Sequence, residues 1–382
     1  MDIFICNIII MVQTILVDKI MTDEAIADAE GEHFDQKHYH TILNTDADVY
    51  TKTSTGKRGK LLLKFRKNVI PKEYTDAALA SYRKAAKAKH ENRGASAGVL
   101  DRNKMANYIG EFVNPGKFRT SFISNHSGKK SNQATSNLSP SNIIGFYDKA
   151  DRNLLGKGAP CRLTAFNRDN PELWEKSLPF LKSVDQQFKL LTPDAHRKQK
   201  NQCQQVPEFS IADTAFSTVT INYSWRTALH KDSGDFMDGF GNLMVIEDTE
   251  NPNTYKGSYT GFPQYGVAVD VKTGDFLAMD VHEWHSNTEF IPTNKKMAGG
   301  GKSMDQKNNW HFNRLSIVCY LRDKMIRCKN MKTTAPQLLN TGDSIINKTV
   351  NCDKLTSLEK QIKEYVPGFE EFIKLKGYNL FD

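Results

Sequence analysis

The sequence predicts an α+β protein with a double-stranded β-helix core, a jelly-roll or cupin-like fold, flanked by N-terminal and C-terminal helices. Three observations favour this class. Short strand-like runs divided by turns follow one another from residue 209 to about residue 325. Helix-forming stretches lie on both sides of that region. The strand region also contains a His-x-Asp pair, which is a pattern of metal ligands.

The composition indicates a soluble intracellular protein. Of the 382 residues, 39% are hydrophobic and 25% are charged, as in globular chains. Six scattered cysteines without zinc-ligand spacing predict reduced thiols. The apolar run Met1–Val17 is too short and interrupted to span a membrane, and it lacks the basic start of a secretory signal. The formal charge of +8 is compatible with a polyanionic partner but does not require one.

Three segments are predicted along the chain. Residues 1–56 form an N-terminal extension, and residues 57–325 form the main domain, with the jelly-roll core at about 209–325. Residues 326–382 form a C-terminal helical segment that packs on the core. This last prediction rests on the amphipathic run Leu355–Leu375.

A basic strand and a basic helix are predicted at the start of the main domain. Leu61–Ile70 has the residue types of a strand, and Pro71 ends it. Tyr74–His90 is alanine-rich and helix-forming. The lysines and arginines of both elements either form a solvated face or contact phosphates.

Two loops and a further helix follow. The small-residue loop Asn92–Gly98 lets backbone pass close to something flat or crowded, or is simply a helix stop and a turn. Asn125–Ser141 is poor in apolar residues and predicts a mobile surface loop. A helix should begin at Pro171 with Asn170 as its cap, and Pro179 should bend or split it.

Five strands are predicted in the core region. Their residue types and flanking turns place them at Thr214–Asn222, Gly241–Glu247, Gly266–Val271, Asp275–Asp280 and Arg314–Leu321. The turn Lys272–Asp275 suits a tight hairpin between the third and fourth of these strands.

The His-x-Asp pair consists of His230 and Asp232. Two residues apart on extended backbone, they point to the same face, although an isolated pair of this kind is more often a buried histidine beside a turn aspartate. With one distant histidine they form the facial triad of non-haem Fe(II) oxygenases. His282 and His285 are the candidates for that position. We prefer His285, which is nearer the Arg314 strand, and consider His282 a neighbouring, substrate-side or merely packed group.

The strand that begins at Arg314 predicts an anion site. Arg314, Ser316, Val318 and Tyr320 share one face by period two, and a cation inside a barrel is costly unless it meets an anion. In this class of site the anion is the 5-carboxylate of 2-oxoglutarate, which a guanidinium binds through a bidentate fork. Ser316 can donate its hydroxyl to the same carboxylate. Arg226 either binds the other end of the co-substrate or forms a surface salt bridge.

Six segments together resemble the TET/JBP family of Fe(II)/2-oxoglutarate dioxygenases, which oxidise the 5-methyl group of pyrimidines in nucleic acid. The similarity is greatest to the thymine-oxidising base J type and its microbial and viral relatives. The segments are Asn92–Gly98, Thr214–Asn222, His230–Asp235, Gly239–Leu243, Asp280–Thr288 and Arg314–Tyr320. The sequence departs from the family in an extra loop at Pro292–Phe312 and in lacking the cysteine-rich zinc region of animal relatives.

The resemblance implies a cofactor, a co-substrate and their ligands. Fe(II) would be bound by His230, Asp232 and His285. The co-substrate 2-oxoglutarate would be anchored by Arg314 with assistance from Arg226, and O₂ would be consumed with it.

The resemblance also implies contacts with the substrate. Asp235 would face a base flipped out of double-stranded DNA, because the methyl group cannot otherwise reach the iron. Asn92, Arg93 and His282 are weaker candidates for base contacts. The basic strand and helix would then contact the DNA backbone.

The sequence therefore predicts a DNA 5-methylpyrimidine dioxygenase that acts as a monomer. The carboxylate of Asp235 favours 5-methylcytosine, because it can accept a hydrogen bond from a cytosine amino group but not from a thymine carbonyl. The resemblance favours thymine instead. Two alternatives remain: a 2-oxoglutarate-dependent hydroxylase of RNA, protein or a small molecule, and a nucleic-acid-binding relative that has lost turnover.

Overall fold

The computed structural model describes residues 12–86, 88–101, 110–113, 116–125, 127–130, 134–148, 162–247, 255–293 and 314–328. Its strands are β1 Gln13–Val17, β2 Thr41–Leu43, β3 Ala47–Lys52, β4 Arg58–Arg66, β5 Gly110–Val113, β6 Ser121–Ser124, β7 Ser141–Tyr147, β8 Arg162–Leu163, β9 Thr218–Tyr223, β10 Gly241–Glu247, β11 Tyr255–Gly257, β12 Thr260–Phe262, β13 Val267–Val269, β14 Phe276–Met279, β15 Ser286–Asn287, β16 Phe290–Pro292 and β17 Arg314–Tyr320. Its α-helices are α1 Asp23–Asp28, α2 Lys72–Ala86, α3 Ala165–Asp169, α4 Pro171–Leu191 and α5 Pro193–Cys203.

Two sheets organise the described residues. The major sheet has the order β1-β3-β4-β14-β10-β17-β9-β7-β8, and the minor sheet has the order β15-β12-β13-β2. Neighbouring strands are antiparallel except for the parallel pairs β1–β3 and β2–β13. The segment predicted as an N-terminal extension thus contributes β1 and β3 to the major sheet and β2 to the minor one.

An apolar layer fills the space between the two sheets. It includes Leu63 and Leu243 from the major sheet, and Leu43, Phe262 and Val267 from the minor sheet. Packing of two sheets face to face is expected of a jelly roll. The prediction of an α+β fold is confirmed.

A second apolar layer covers the outer face of the major sheet. There α2 and α4 bury Tyr82 and Phe180 against strand residues that include Leu315, Ile317 and Cys319 of β17. Because side chains alternate along a strand, Arg314 and every second residue after it point the other way, toward the minor sheet. The helices therefore determine which face of β17 is left for a site.

The helix predicted from Pro171 is present as α4 and continues without a break through Pro179. The prediction that Pro179 splits it is wrong. Asn170 precedes the helix but makes no capping bond with its side chain. Its amide instead donates to the carbonyl of Phe166 in the preceding helix α3, so the side chain is already used.

The turn Lys272–Asp275 is not a hairpin. It carries the chain from β13 in the minor sheet to β14 in the major sheet. The buried carboxylate of Asp275 accepts hydrogen bonds from the backbone N–H groups of Lys272 and Asn68, and it pairs with Lys67. The crossover is thereby tied to the end of β4, a partner that lies more than 200 residues away in sequence.

The loop predicted to be mobile, Asn125–Ser141, is partly buried where the structure describes it. Ser136 and Ser139 are almost fully buried. The hydroxyl of Ser136 accepts hydrogen bonds from the backbone N–H groups of Arg93 and Gly94, and the Asn137 amide donates to the carbonyl of Ala97. The loop is polar because its side chains satisfy the backbone of the neighbouring small-residue loop.

Several predictions concern residues outside the described part of the chain. They are the amphipathic run Leu355–Leu375, almost all of the Pro292–Phe312 loop, and the start of the Met1–Val17 run. Within the described residues, no helix combines the length and the apolar character that crossing a bilayer requires.

Candidate active site

The described residues contain one group of side chains with the geometry of a metal site: His230, Asp232 and His285. Their potential ligand atoms all lie within 4.8 Å of one another. The Nε2 atom of His230 is 3.6 Å from one carboxylate oxygen of Asp232, and the Nε2 atom of His285 is 3.7 Å from the other. The structure thus brings together the three residues that the sequence selected.

Backbone pairing holds the three side chains in place. The N–H of His230 donates to the carbonyl of His285, and the N–H of His285 donates to the carbonyl of His230, both at 3.0 Å. The N–H of Asp232 donates to the carbonyl of Val281. Two short extended segments therefore run side by side, and this pairing fixes the spacing of the ligands.

The histidine rings are oriented for binding a cation. Nδ1 of His230 lies 2.8 Å from the carbonyl oxygen of Ala228, and Nδ1 of His285 lies 2.9 Å from that of Glu283. A carbonyl only accepts, so each Nδ1 carries a proton, and Nε2 is the ring atom that can bind a cation. Burial, and then the neighbouring His285 ring, lower the pKa of His230 to about 4, which favours the neutral form of that ring. Two imidazoles and a carboxylate match the donor set of a non-haem Fe(II) site.

His282, the other candidate for the third ligand, lies outside this group. Its Nε2 is 3.2 Å from the carbonyl oxygen of Phe236, and its backbone N–H donates to the carboxylate of Asp280. Its ring is thus engaged with the loop that follows the His-x-Asp pair. This supports the preference for His285 as the ligand.

Arg314 is a buried cation at the start of β17, with 2% of its surface exposed. Its backbone N–H donates to the hydroxyl of Ser224, and its guanidinium donates to the carbonyl of Ser258 at 3.4 Å. Among the described residues, no carboxylate lies within 4.0 Å of the guanidinium, so it has no ion-pair partner there. Ser316 is buried two residues later on the same face. The arrangement is suited to binding a carboxylate from a small molecule.

Arg226 is engaged within the protein. Its guanidinium pairs with Asp35 at 2.7 Å and donates to the carbonyls of Phe34 and Asn287. The salt bridge that the sequence left open as the alternative is therefore the observed arrangement, and nothing in it supports a co-substrate contact. Asp35 lies 191 residues earlier in the chain, so no local pattern indicated it.

Asp235 is buried beside the metal ligands and forms an isolated β-bridge with Arg322. Burial, and then the negative charge of Asp232, raise the pKa of its carboxyl well above the ordinary value. The raised pKa favours the neutral carboxyl, which can donate a hydrogen bond as well as accept one. The argument for 5-methylcytosine assumed a carboxylate, and it stays a prediction.

Arg322 and Asp148 belong to the site, although the sequence analysis did not select them. The guanidinium of Arg322 pairs with Asp148 through contacts of 2.6 and 3.4 Å and lies 5.0 Å from the ring of Tyr147. The backbone after it bonds to Gly234, so the strand end supports the turn that carries Asp235. The sequence did contain a signal for Arg322. It lies an even number of residues after Arg314, so continued extended backbone would place it on the same face.

Of the two candidate base-contacting residues in the small-residue loop, only Arg93 lies near the metal ligands. Asn92 is exposed. Arg93 has a buried Nε with no hydrogen-bond partner among the described residues. Burial lowers the pKa of its guanidinium, while the neighbouring Tyr320, Tyr147 and Asp232 oppose that shift. Arg93 therefore lies in the same electrostatic environment as the metal carboxylate.

Three of the four basic residues of strand β4 pair with acidic residues of the protein itself. Lys64 and Arg66 both pair with Asp48, at 3.3 and 2.8 Å. Lys60 pairs with Asp280 and Glu283. These pairs join neighbouring strands and give no support to the prediction that the strand contacts a DNA backbone.

Comparison with known proteins assigns part of the chain to a family. Residues 142–323 match the Tet_JBP family model, described as the oxygenase domain of the 2OGFeDO superfamily. The matched segment contains the three candidate ligands and Arg314.

Individual relatives agree with this match. The chain is 34% identical over 218 residues to the bifunctional helicase and thymine dioxygenase JBP2 of Leishmania tarentolae, covering 55% of this chain and 17% of that protein. It is 32% identical over 187 residues to the thymine dioxygenase JBP1 of Trypanosoma brucei brucei, covering 48% and 19%. The chain thus spans less than a fifth of the length of these relatives.

A solved structure of NgTET1 in complex with 5mC DNA is also similar, with a TM-score of 0.38 and 12% sequence identity over 80% of this chain and 92% of that one. A likeness this distant carries no information about the substrate.

Proposed function

We propose that the chain is a member of the TET/JBP family of Fe(II)- and 2-oxoglutarate-dependent oxygenases, whose model its residues 142–323 match, and that it oxidises the 5-methyl group of a pyrimidine in DNA. One observation carries the proposal. The His230–Asp232–His285 group lies in the same family-matched segment as Arg314, whose guanidinium has no ion-pair partner among the described residues. A metal ligand set and a buried cation that can take a carboxylate are what a 2-oxoglutarate-dependent oxygenase requires.

The residues divide the work as follows. His230, Asp232 and His285 would hold Fe(II) on one face and leave positions open on the other. Arg314, with the hydroxyl of Ser316, would bind the distal carboxylate of 2-oxoglutarate and so orient its 2-oxo acid end toward the metal. When bound, Fe(II) with 2-oxoglutarate and O₂ supplies the oxidising power to hydroxylate a methyl group. Phe262 of the apolar layer between the sheets lies beside the candidate metal ligands, with its ring centre 6.4 Å from that of His285.

Thymine in double-stranded DNA is the substrate we propose. The relatives JBP1 and JBP2 are thymine dioxygenases, and the protonated form of Asp235, which its raised pKa favours, could donate to a thymine carbonyl. Arg93 would contact the flipped base together with Asp235. The base must leave the duplex to reach the metal.

The basic residues of α2 remain candidates for contacting the DNA backbone, and the monomeric state and intracellular location remain predictions.

The test is a direct assay of the full chain. We would incubate it with Fe(II), 2-oxoglutarate and DNA containing either thymine or 5-methylcytosine as the only methylated pyrimidine, then digest the DNA and identify nucleosides by mass spectrometry. We expect 5-hydroxymethyldeoxyuridine from the thymine DNA. Oxidised cytosine alone would move the substrate to 5-methylcytosine. Succinate without an oxidised nucleoside would indicate a different substrate, and absence of both products would favour a binding protein.

A further inference from the structure

Glu247 stands directly opposite Arg314 on the paired strands β10 and β17. Opposite residues of an antiparallel pair have their Cβ atoms about 5 Å apart, and opposite charges there normally attract each other. Nevertheless Glu247 and Arg314 form no ion pair within 4.0 Å. Something must hold the carboxylate away from the buried guanidinium.

Two side chains hold Glu247. The hydroxyl of Tyr255 donates to the Oε1 atom of Glu247 at 2.5 Å. The Nζ atom of Lys272 lies 3.6 Å from the same oxygen and 3.1 Å from a carboxylate oxygen of Asp270. The two holding groups also contact each other, since the ammonium of Lys272 lies 4.9 Å from the centre of the Tyr255 ring.

The holding groups are themselves fixed. Tyr255 is buried, and its ring packs edge-on against Phe290 with the ring centres 5.1 Å apart. Lys272 lies in the crossover between the two sheets, where its backbone N–H donates to Asp275. The ring of Tyr255 and the backbone of Lys272 are therefore anchored independently of Glu247.

Competition for Arg314 has a large effect in this environment. Arg314 is 2% exposed, and a buried cation without an anion is costly. Glu247 belongs to the protein and would therefore always be present beside the guanidinium. If it paired with Arg314, a carboxylate from a small molecule would have to displace it before binding.

We propose that Tyr255 and Lys272 are positioning residues of the co-substrate site, which keep Arg314 free for the distal carboxylate of 2-oxoglutarate by holding Glu247 away from it. This inference rests on the proposed function only in taking 2-oxoglutarate as the ligand. It makes Glu247 an internal competitor that these two side chains restrain.

The decisive experiment measures binding of 2-oxoglutarate to the full chain loaded with Mn(II), by titration calorimetry without turnover. Lys272→Met removes the ion pair that helps to hold Glu247 and should weaken binding about tenfold, because the less restrained carboxylate competes for the buried guanidinium. Adding Glu247→Gln to that variant removes the competing charge and should restore the wild-type Kd to within about twofold. Rescue by a second substitution is not expected if Lys272 has only a structural role.

Matched controls accompany the pair. Lys256→Met changes an exposed lysine of the neighbouring strand β11 and should leave the Kd unchanged. Tyr255→Phe removes only the second hold and should weaken binding in the same direction, so the inference can be tested even if Lys272→Met does not fold. Turnover should show a higher KM for 2-oxoglutarate in Lys272→Met with kcat preserved.

The outcomes separate the two proposals. A wild-type Kd in both Lys272→Met and Tyr255→Phe would overturn the inference, and so would a double variant that binds as weakly as Lys272→Met alone. Failure of the wild-type protein to bind 2-oxoglutarate would instead overturn the proposed function, and this inference with it.

Discussion

Cationic side chains have opposite surroundings on β4 and in the interior between the sheets. On β4, Lys64 and Arg66 share the carboxylate of Asp48, and just after it Lys67 pairs with Asp275. In the interior, the guanidinium of Arg314 donates, among the described residues, only to a backbone carbonyl. The difference shows that a run of positive charge in the sequence need not be a binding surface. A cation identifies a binding site when it is buried and its protein partners leave it incomplete.

His285 and His282 differ in the same way, since the Nε2 atom is available to a ligand only in His285. Substituting them gives the largest expected effect, which is on metal retention. His285→Ala removes a ring whose Nε2 faces the other ligands, and the purified protein should retain little Fe(II). His282→Ala removes a ring already engaged with Phe236 and should retain the metal. Metal content by mass spectrometry after dialysis measures both variants. Equal metal content in the two variants would contradict the assignment of His285 as the ligand.

Arg314→Met should have the next largest effect. Loss of a bidentate, charge-assisted contact should weaken 2-oxoglutarate binding about a hundredfold. Lys64→Met removes a paired cation of β4 and should change the Kd by less than about twofold. Calorimetry on the Mn(II)-loaded protein compares the two variants. A similar loss of affinity for 2-oxoglutarate in both would contradict the distinction between the paired cation of β4 and the buried cation of β17.

Lys67→Met tests what the paired cations do. Asp275 is fully buried, and without Lys67 its carboxylate keeps only backbone donors. We expect the free energy of unfolding to fall by about 1–3 kcal/mol, with no change in the Kd for 2-oxoglutarate. Urea denaturation provides the first value. Unchanged stability together with weaker DNA binding would indicate a surface that contacts nucleic acid after all.

Ser316→Ala should have the smallest effect, a loss of about threefold to tenfold in the affinity for 2-oxoglutarate. Its hydroxyl is one donor beside a guanidinium that can provide two. A reduction as large as that in Arg314→Met would mean that the hydroxyl, rather than the buried cation, is the main anchor.

Local spacing was sufficient to predict the core of the site. His230 and Asp232 share a face because extended backbone alternates, and the same rule placed Ser316 beside Arg314. These relations depend only on residues close in sequence. The α+β class was predictable for the same reason, since each short strand carries its own pattern.

Relations between distant segments could not be predicted. Nothing near Arg226 indicated Asp35, and nothing near the turn Lys272–Asp275 indicated that its carboxylate would bond to Asn68. The polar loop before Ser141 was misread because low apolar content is typical both of solvated loops and of loops that satisfy a neighbour's backbone. In each case the missing information was the identity of a partner, which only the folded chain supplies.

The position of β17 affects how the protein is made. It is the last described strand in the chain, yet it lies in the middle of the major sheet, between β10 and β9. A nascent chain that has not yet released this strand from the ribosome has two unpaired strand edges, which are prone to association with other chains. It also lacks Arg314, the first residue of that strand. Under the proposed function, a chain without this strand would lack the co-substrate anchor as well as the segment that joins the two halves of the sheet.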